Sequence, residues 1–263
     1  MRRITIFAVT VAALAVCAAP ASAIQSVQKA SATVKPNVAG TKANPQAVSL
    51  TVRSFFDTIA PDLDQQIQFA TVNGQVWFTK EGLTNAKQFP GCTSAKVFQD
   101  EKTCPSGSKV GSGTAEGIGI GLDEHVKLTA FNQPNGKGVT VLVVGESPLI
   151  IREVVVANLK TLSGDPKYRY ELSFAVPKNL QSPAPGVIAA IKDLTLTIPV
   201  TYLKKSGKIV KKKGKKVPYI ATTGCAAGHW FGKYVADYTT SFDSAIESSQ
   251  TVELTVPCKK HKK

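Results

Sequence analysis

The chain has 263 residues, 43% hydrophobic and 19% charged, which supplies the core of one large domain or two small ones and excludes a disordered chain. Its 32 Lys and Arg against 18 Asp and Glu give a formal charge of +14. That excess is local, because eight lysines fall between 204 and 216, four between 259 and 263, and Arg2 and Arg3 open the chain. The rest is neutral, which argues against a nucleic-acid surface spread over the whole body.

Residues 1–23 have the three parts of an export signal: Arg2 and Arg3, an apolar stretch from Ile4 to Val16, and the small residues Ala21-Ser22-Ala23. The stretch is shorter than the ~20 apolar residues that cross a bilayer, so cleavage after Ala23 is expected. Cys17 would leave with it; bulky Val16 precedes this cysteine where a lipoprotein signal has a small residue. No later apolar run is long enough for an anchor, and the mature chain is expected outside the cytoplasm without a membrane span. Residues 24–45 are rich in Ala, Ser, Lys, Thr, Asn and Pro and read as a flexible linker.

Order is expected from residue 46. Residues 47–52 alternate apolar and polar side chains, as a half-buried strand does. Residues 66–72 and 75–78 flank Asn73-Gly74, which reads as a two-residue hairpin turn. Further strands are predicted at 109–120, 125–131, 139–144, 149–159, 168–176, 194–203, 217–222, 229–240 and 251–256. A turn at Pro134-Asn135-Gly136 and a loop over 181–186 separate some of them. A short helix is predicted over 93–100 and a single turn over 186–192. Many short strands with no βαβ alternation predict an all-β antiparallel sandwich over 46–258, as one large sandwich or two consecutive small ones dividing near 147, followed by a basic tail at 259–263.

Loss of Cys17 leaves four cysteines, an even number suited to an oxidising compartment. Three pairings are open, and the local ones, Cys92 with Cys104 and Cys225 with Cys258, are expected because each encloses one segment. The stretch Gly91-Cys92, then Cys104-Pro105-Ser106-Gly107-Ser108-Lys109-Val110-Gly111-Ser112-Gly113-Thr114-Ala115, resembles the C-x(n)-C-P-x-x-S-x-V-G-x-G motif of uncharacterised secreted proteins of high-GC Gram-positive bacteria. Cys225, Trp230 and Cys258 are similar to the closing part of such proteins. The resemblance implies a secreted β-rich domain and carries no activity.

Signals for chemistry are sparse. The glycines at 107, 111 and 113 lack the Lys and following helix of a phosphate loop and read as a structural turn, and Gly117-Ile118-Gly119-Ile120-Gly121 reads as close backbone approach or a bend within a strand. Metal and cofactor sites are not expected, since the nearest cysteines are twelve apart and His125, His229 and His261 are scattered. Neither His125 nor His229 neighbours a nucleophile elbow. Asp62 and Asp64 lack a dedicated calcium spacing, and Asp123 and Glu124 would point apart on a strand.

Lys204, Lys205, Lys208, Lys211, Lys212, Lys213, Lys215 and Lys216 are expected at the tip of one long hairpin with Ser206-Gly207 and Gly214 turns, and Pro199 and Pro218 suggest an edge position. Lysines there keep a strand edge from pairing. They also suit an anionic envelope polymer or surface, without the Arg forks and interleaved aromatics of sequence-specific nucleic-acid readers. The first expectation is thus a secreted, non-enzymatic structural or binding protein of the cell envelope. The alternatives are a polyanion-binding module acting through the lysines and tail, and a hydrolase whose site folding assembles.

Overall fold

The computed structural model describes residues 27–57, 69–119 and 122–260. The export signal, Asp62, Asp64 and His261 lie outside the described residues. The chain is all-β, antiparallel and stapled by two disulfides, as predicted. The two faces expected of a sandwich belong to one sheet curled almost into a barrel.

In chain order the large sheet uses β1 (Val27–Lys35), β3 (Ser49–Asp57), β4 (Ala70–Thr79), β6 (Lys109–Gly119), β7 (Leu122–Asn132), β8 (Gly138–Gly145), β9 (Ile151–Thr161), β10 (Tyr168–Ala175), β11 (Ala190–Ile198), β17 (His229–Thr239) and β18 (Ser248–Pro257). They pair in the order β1-β3-β11-β6-β7-β8-β9-β10-β4-β17-β18. The two edges then meet. The Gln28 amide donates to the Gln250 side chain at 2.7 Å, and beyond the strands Val38 bridges Lys259 in parallel. A closed sheet buries one face of every strand around a single interior and leaves little edge to mispair.

Residue 147 lies in the short connection between β8 and β9, which pair from Gly138–Asn158 to Gly145–Ile151. Strands from both halves of the chain therefore share one sheet. The segment read as linker contains β1, a correction: Gln28, Ala30, Ala32 and Val34 face inward while Lys29, Ser31, Thr33 and Lys35 are exposed. The period of two was present, but small alanines gave it a weak hydrophobic signal. The Asn73-Gly74 turn is a second correction, because β4 runs straight through it and Gly74 pairs with Phe174 and Ala236. A Cβ at Gly74 would lie 2.2 Å from the Phe174 ring, so this glycine makes room for an aromatic in a strand. The single turn at 186–192 gives way at Ala190 to the start of β11.

The barrel has two unlike ends. At one, β2 (Gln46–Ala47), β16 (Ile220–Thr222) and β5 (Gly82–Thr84) form a small sheet, and both disulfides lie there. Asn132, fully buried, donates from Nδ2 to the carbonyls of Ala86, Phe89 and Pro90 and accepts from the Tyr219 hydroxyl at 3.0 Å. Tyr219 meets Phe89 edge to face at 5.0 Å, and burial pushes its hydroxyl pKa above the usual tyrosine range.

Helix α1 (Ser94–Asp100), N-capped by Thr93 as the short-helix reading requires, packs outside the barrel. Its Val97 lies with Phe131, Leu142, Val144 and Val154. Arg152 fixes it by donating to the carbonyls of Val97 and Phe98 and to Glu101. Strand β8 is consequently apolar on both faces: Val139, Val141 and Val143 inside, Leu142 and Val144 under the helix.

The opposite end is made of loops. It carries the connections β8–β9, β10–β11 and β17–β18, with α2 (Lys178–Gln181) in the second of them. Among the described residues, four exposed large apolar ones occur here, Leu122, Ile150, Phe242 and Ile246, with Ile150 92% exposed.

Candidate functional site

Inside the barrel the protein atoms surround a cavity of about 550 Å³, within the ~300–1,000 Å³ span of small-molecule sites. Its wall is aliphatic and aromatic: Leu50, Val52, Val76, Leu128, Val141, Val155, Leu172, Phe174, Leu194 and Leu196 all border it. The cause is legible strand by strand. An antiparallel sheet presents alternate residues to one face, and on several strands those residues are too small to reach the middle. On β6 the alternate positions are Gly111, Gly113, Ala115, Gly117 and Gly119; on β1 they include Ala30 and Ala32; on β17 they include Gly232 and Ala236.

Two of these glycines also let strands close up. A Cβ at Gly113 would stand 2.0 Å from the Thr195 carbonyl oxygen and one at Gly111 2.8 Å from that of Thr197, both on β11. The sequence reading places close backbone approach or a bend at Gly117–Gly121; the tight approach falls instead at Gly111 and Gly113, while a Cβ at Gly117 would stand 3.3 Å from the Ala190 carbonyl oxygen. The consequence is a wall of β6 that lines the interior with backbone instead of side chains.

Few polar groups enter this lining. Ser54 and Tyr238 do, and both are tied to Gln28, which donates from Nε2 to the Ser54 hydroxyl at 3.0 Å and accepts from the Tyr238 hydroxyl. Burial pushes the Tyr238 pKa up as well. Three others keep an oxygen with no protein partner: Glu124 Oε1, Gln181 Oε1 and Thr222 Oγ1. Thr222 belongs to the stapled end; Glu124 and Gln181 belong to the loop end. Sequence reasoning missed the pair. A signal for Glu124 existed, since it occupies a cavity-facing place in the series Glu124, Val126, Leu128, Ala130, where a carboxylate breaks an otherwise apolar face.

Asp123 and Glu124 do point apart: Asp123 accepts from Lys192 Nζ at 2.9 Å on the outer wall. His125 is outside too, with a 73% exposed side chain, and stands 3.8 Å from Glu116, its cross-strand partner. His229 packs its ring on Phe231 at 4.5 Å. Neither histidine lines the cavity. Among the described residues no group of three His, Cys, Asp or Glu is placed to hold a metal.

The four cysteines form the two local pairs, Cys92–Cys104 and Cys225–Cys258, with Cα separations of 5.4 and 6.0 Å. The first ties the α1 segment to the barrel exterior. The second joins the seam, where Cys225, Cys258, Trp230, Val256 and Ala39 cluster, and Trp230 Nε1 donates to the Gly224 carbonyl at 2.7 Å.

The lysine run is two short hairpins, not one long one. β12 (Lys204–Lys205) pairs with β13 (Lys208–Ile209), and β14 (Lys211–Lys212) with β15 (Lys215–Lys216). Each turns through two residues of positive φ, Ser206-Gly207 and Lys213-Gly214, as a type I′ hairpin does. A stem bridge between Tyr202 and Pro218 carries both. Pro199 does not mark a sheet edge: it follows β11, a strand paired on both sides. All eight lysines are exposed, and among the described residues none lies within ion-pair distance of a carboxylate. Lys215 instead donates to the Ala43 carbonyl at 2.8 Å, and Lys216 stands 5.3 Å from the Tyr202 ring centre.

Comparison of the chain with protein-family models, curated proteins and solved structures finds no match in any of the three. Among the described residues no helix is long and apolar enough to cross a membrane.

Proposed function

We propose that this is an exported, non-enzymatic binding protein that holds an apolar small molecule inside its barrel. The observation that carries the reading is the cavity of about 550 Å³ with a lining of Leu, Val and Phe. Natural interiors are close-packed, so a hollow of this size, kept by glycines and alanines at inward positions of three strands, is a feature of the sequence and not a packing accident. Burial of a ligand's apolar surface stabilises at ~25 cal/mol per Å² before the costs of immobilisation. Export rests on residues 1–23 and on two disulfides, which persist in oxidising compartments. Kinship with the secreted proteins of high-GC Gram-positive bacteria rests on the motif from Cys92 to Ala115 and on Cys225, Trp230 and Cys258.

The test uses the mature protein and N-phenylnaphthylamine, a neutral fluorophore that brightens in apolar surroundings. A single saturable site is expected. Fluorescence no greater than with a similarly basic protein lacking a cavity would end the reading.

A second reading, contact with an anionic envelope polymer, is favoured by the eight exposed lysines at the stapled end, none within ion-pair distance of a carboxylate among the described residues. Point charges without Arg forks suit sequence-independent contact. Retention on a polyanion resin should fall steeply with salt, and retention unchanged after all eight lysines are replaced by glutamine would refute it. The two readings use opposite features of the molecule and are separable by variant.

A further inference from the structure

We propose that the ligand is an amphiphile whose polar end donates hydrogen bonds, an aliphatic alcohol or amine, recognised by Glu124 and Gln181. This rests on the cavity reading and adds the head-group chemistry.

Glu124 is 7% exposed and lines the cavity. Its Oε2 is engaged, accepting the Leu149 backbone N–H at 2.9 Å. Its Oε1 has no partner, and it lies over the inner face of Gly145, where a Cβ would come within 2.5 Å of it. Gly145 shares the inward face of β8 with Val141 and Val143, so the free oxygen is directed to the interior. The glycine is what admits it. Among the described residues no Lys, Arg or His lies within ion-pair distance of Glu124.

Gln181, also 7% exposed, presents the same kind of atom. Its Nε2 donates to the Val176 carbonyl at 2.6 Å, which fixes the amide orientation and leaves Oε1 as the unpartnered acceptor. Two buried acceptors at the loop end, with no buried unpartnered side-chain donor there among the described residues, match a hydroxyl or ammonium head. A carboxylate or phosphate head would set acceptor against acceptor and leave both oxygens unsatisfied, a substantial penalty in a low-dielectric site. The chain's net charge of +14 works the other way, because it attracts anionic amphiphiles to the surface. A preference for an amine or alcohol therefore has to come from the interior.

The experiment displaces N-phenylnaphthylamine with dodecanol, dodecylamine and dodecanoate at neutral pH and physiological ionic strength, so that only the head group differs. Dodecanol and dodecylamine should displace it at concentrations roughly tenfold or more below dodecanoate. Glu124→Gln, which puts an NH₂ donor beside the head, and independently Gln181→Leu should each narrow that gap; Glu116→Gln on the outer wall should leave it as it was. Equal displacement by all three, or dodecanoate the strongest, overturns the head-group proposal while the cavity reading stands. A gap untouched by either interior variant overturns it too. If N-phenylnaphthylamine does not bind at all, the cavity reading itself fails and the proposal falls with it.

Discussion

Replacing Val141 with phenylalanine distinguishes a hollow barrel from a packed one by the sign of a stability change. Val141 faces the cavity from β8, between Ala130 on β7 and Val155 on β9. Phenylalanine adds four carbons. At ~0.8 kcal/mol per buried methylene-sized group the gain reaches up to about 3 kcal/mol if cavity space receives them, and fixing the new rotamer returns ~0.5–1 kcal/mol of it. A net increase near 2 kcal/mol corresponds to a rise of about 4–8 °C in melting temperature for a domain of this size. In a close-packed core the same change costs about 1–3 kcal/mol through forced rotamers and backbone shifts. Binding should move oppositely, because the ring takes up space the ligand needs. The assay is thermal unfolding of the ligand-stripped protein by circular dichroism, with N-phenylnaphthylamine titration of the same sample. A melting temperature lowered by several degrees with affinity unchanged would refute the hollow-barrel argument.

Other consequences concern the stapled end and the surface. Tyr219→Phe removes the hydroxyl that donates to the buried Asn132 Oδ1 at 3.0 Å and should cost about 1–3 kcal/mol in urea unfolding; Asn132→Leu, which strips three carbonyls of their donor, should cost more. Replacing Cys225 and Cys258 by serine opens a loop of sequence separation 33, for which the chain-entropy model gives a loss of about 3–4 kcal/mol, read as a lower midpoint that persists without reductant. Glu101, Glu247 and Glu253 are all held below the usual carboxylate pKa, by the hydrogen bonds of Arg152, Thr240 and Lys167 respectively. A depressed folded-state pKa stabilises above the unfolded value, so this contribution is complete above about pH 4.3 and is lost as pH falls through the folded values. Thermal melts should show a decline that begins below about pH 4.3 and that weakens in Glu253→Gln.

How much of this was legible in the sequence depends on which residues carried the signal. Strong alternation with bulky residues located β7 through β10 to within a few positions, and the short helix read over 93–100 is α1. Cysteine number and spacing anticipated both disulfides. The failures share one cause: glycine and alanine report poorly on environment. Ala30 and Ala32 made β1 look like a linker, and Gly74 looked like a turn when it was space for the Phe174 ring. The alternating glycines from Gly117 spoke of close backbone approach or a bend, which is half of what the small residues of β6 mean. Small inward residues bring strands together and, for the same reason, leave the barrel axis uncovered; only the closure of β1 on β18 turns the second effect into a cavity. Closure is a long-range fact, set by pairings between residues more than two hundred positions apart, such as Gln28 and Gln250.

The same dependence on closure explains why the charge drew attention to the end of the molecule away from Glu124 and Gln181. The lysines are conspicuous in sequence because they are consecutive, yet they sit on two exposed hairpins beyond the end that disulfides, the small sheet and the Asn132 network hold together. Glu124 is inconspicuous, one acid among eighteen. Its setting in the fold changes its weight. A carboxylate on an exposed strand face is ordinary; one on the inward face of a closed apolar barrel, with an oxygen that no protein group satisfies, has to be matched by something else. The orphaned oxygens of Glu124 and Gln181 occur at the end built from loops, opposite the end held by the disulfides and the small sheet. The proposed binding role therefore puts head-group recognition and the covalent staples at opposite ends of one sheet.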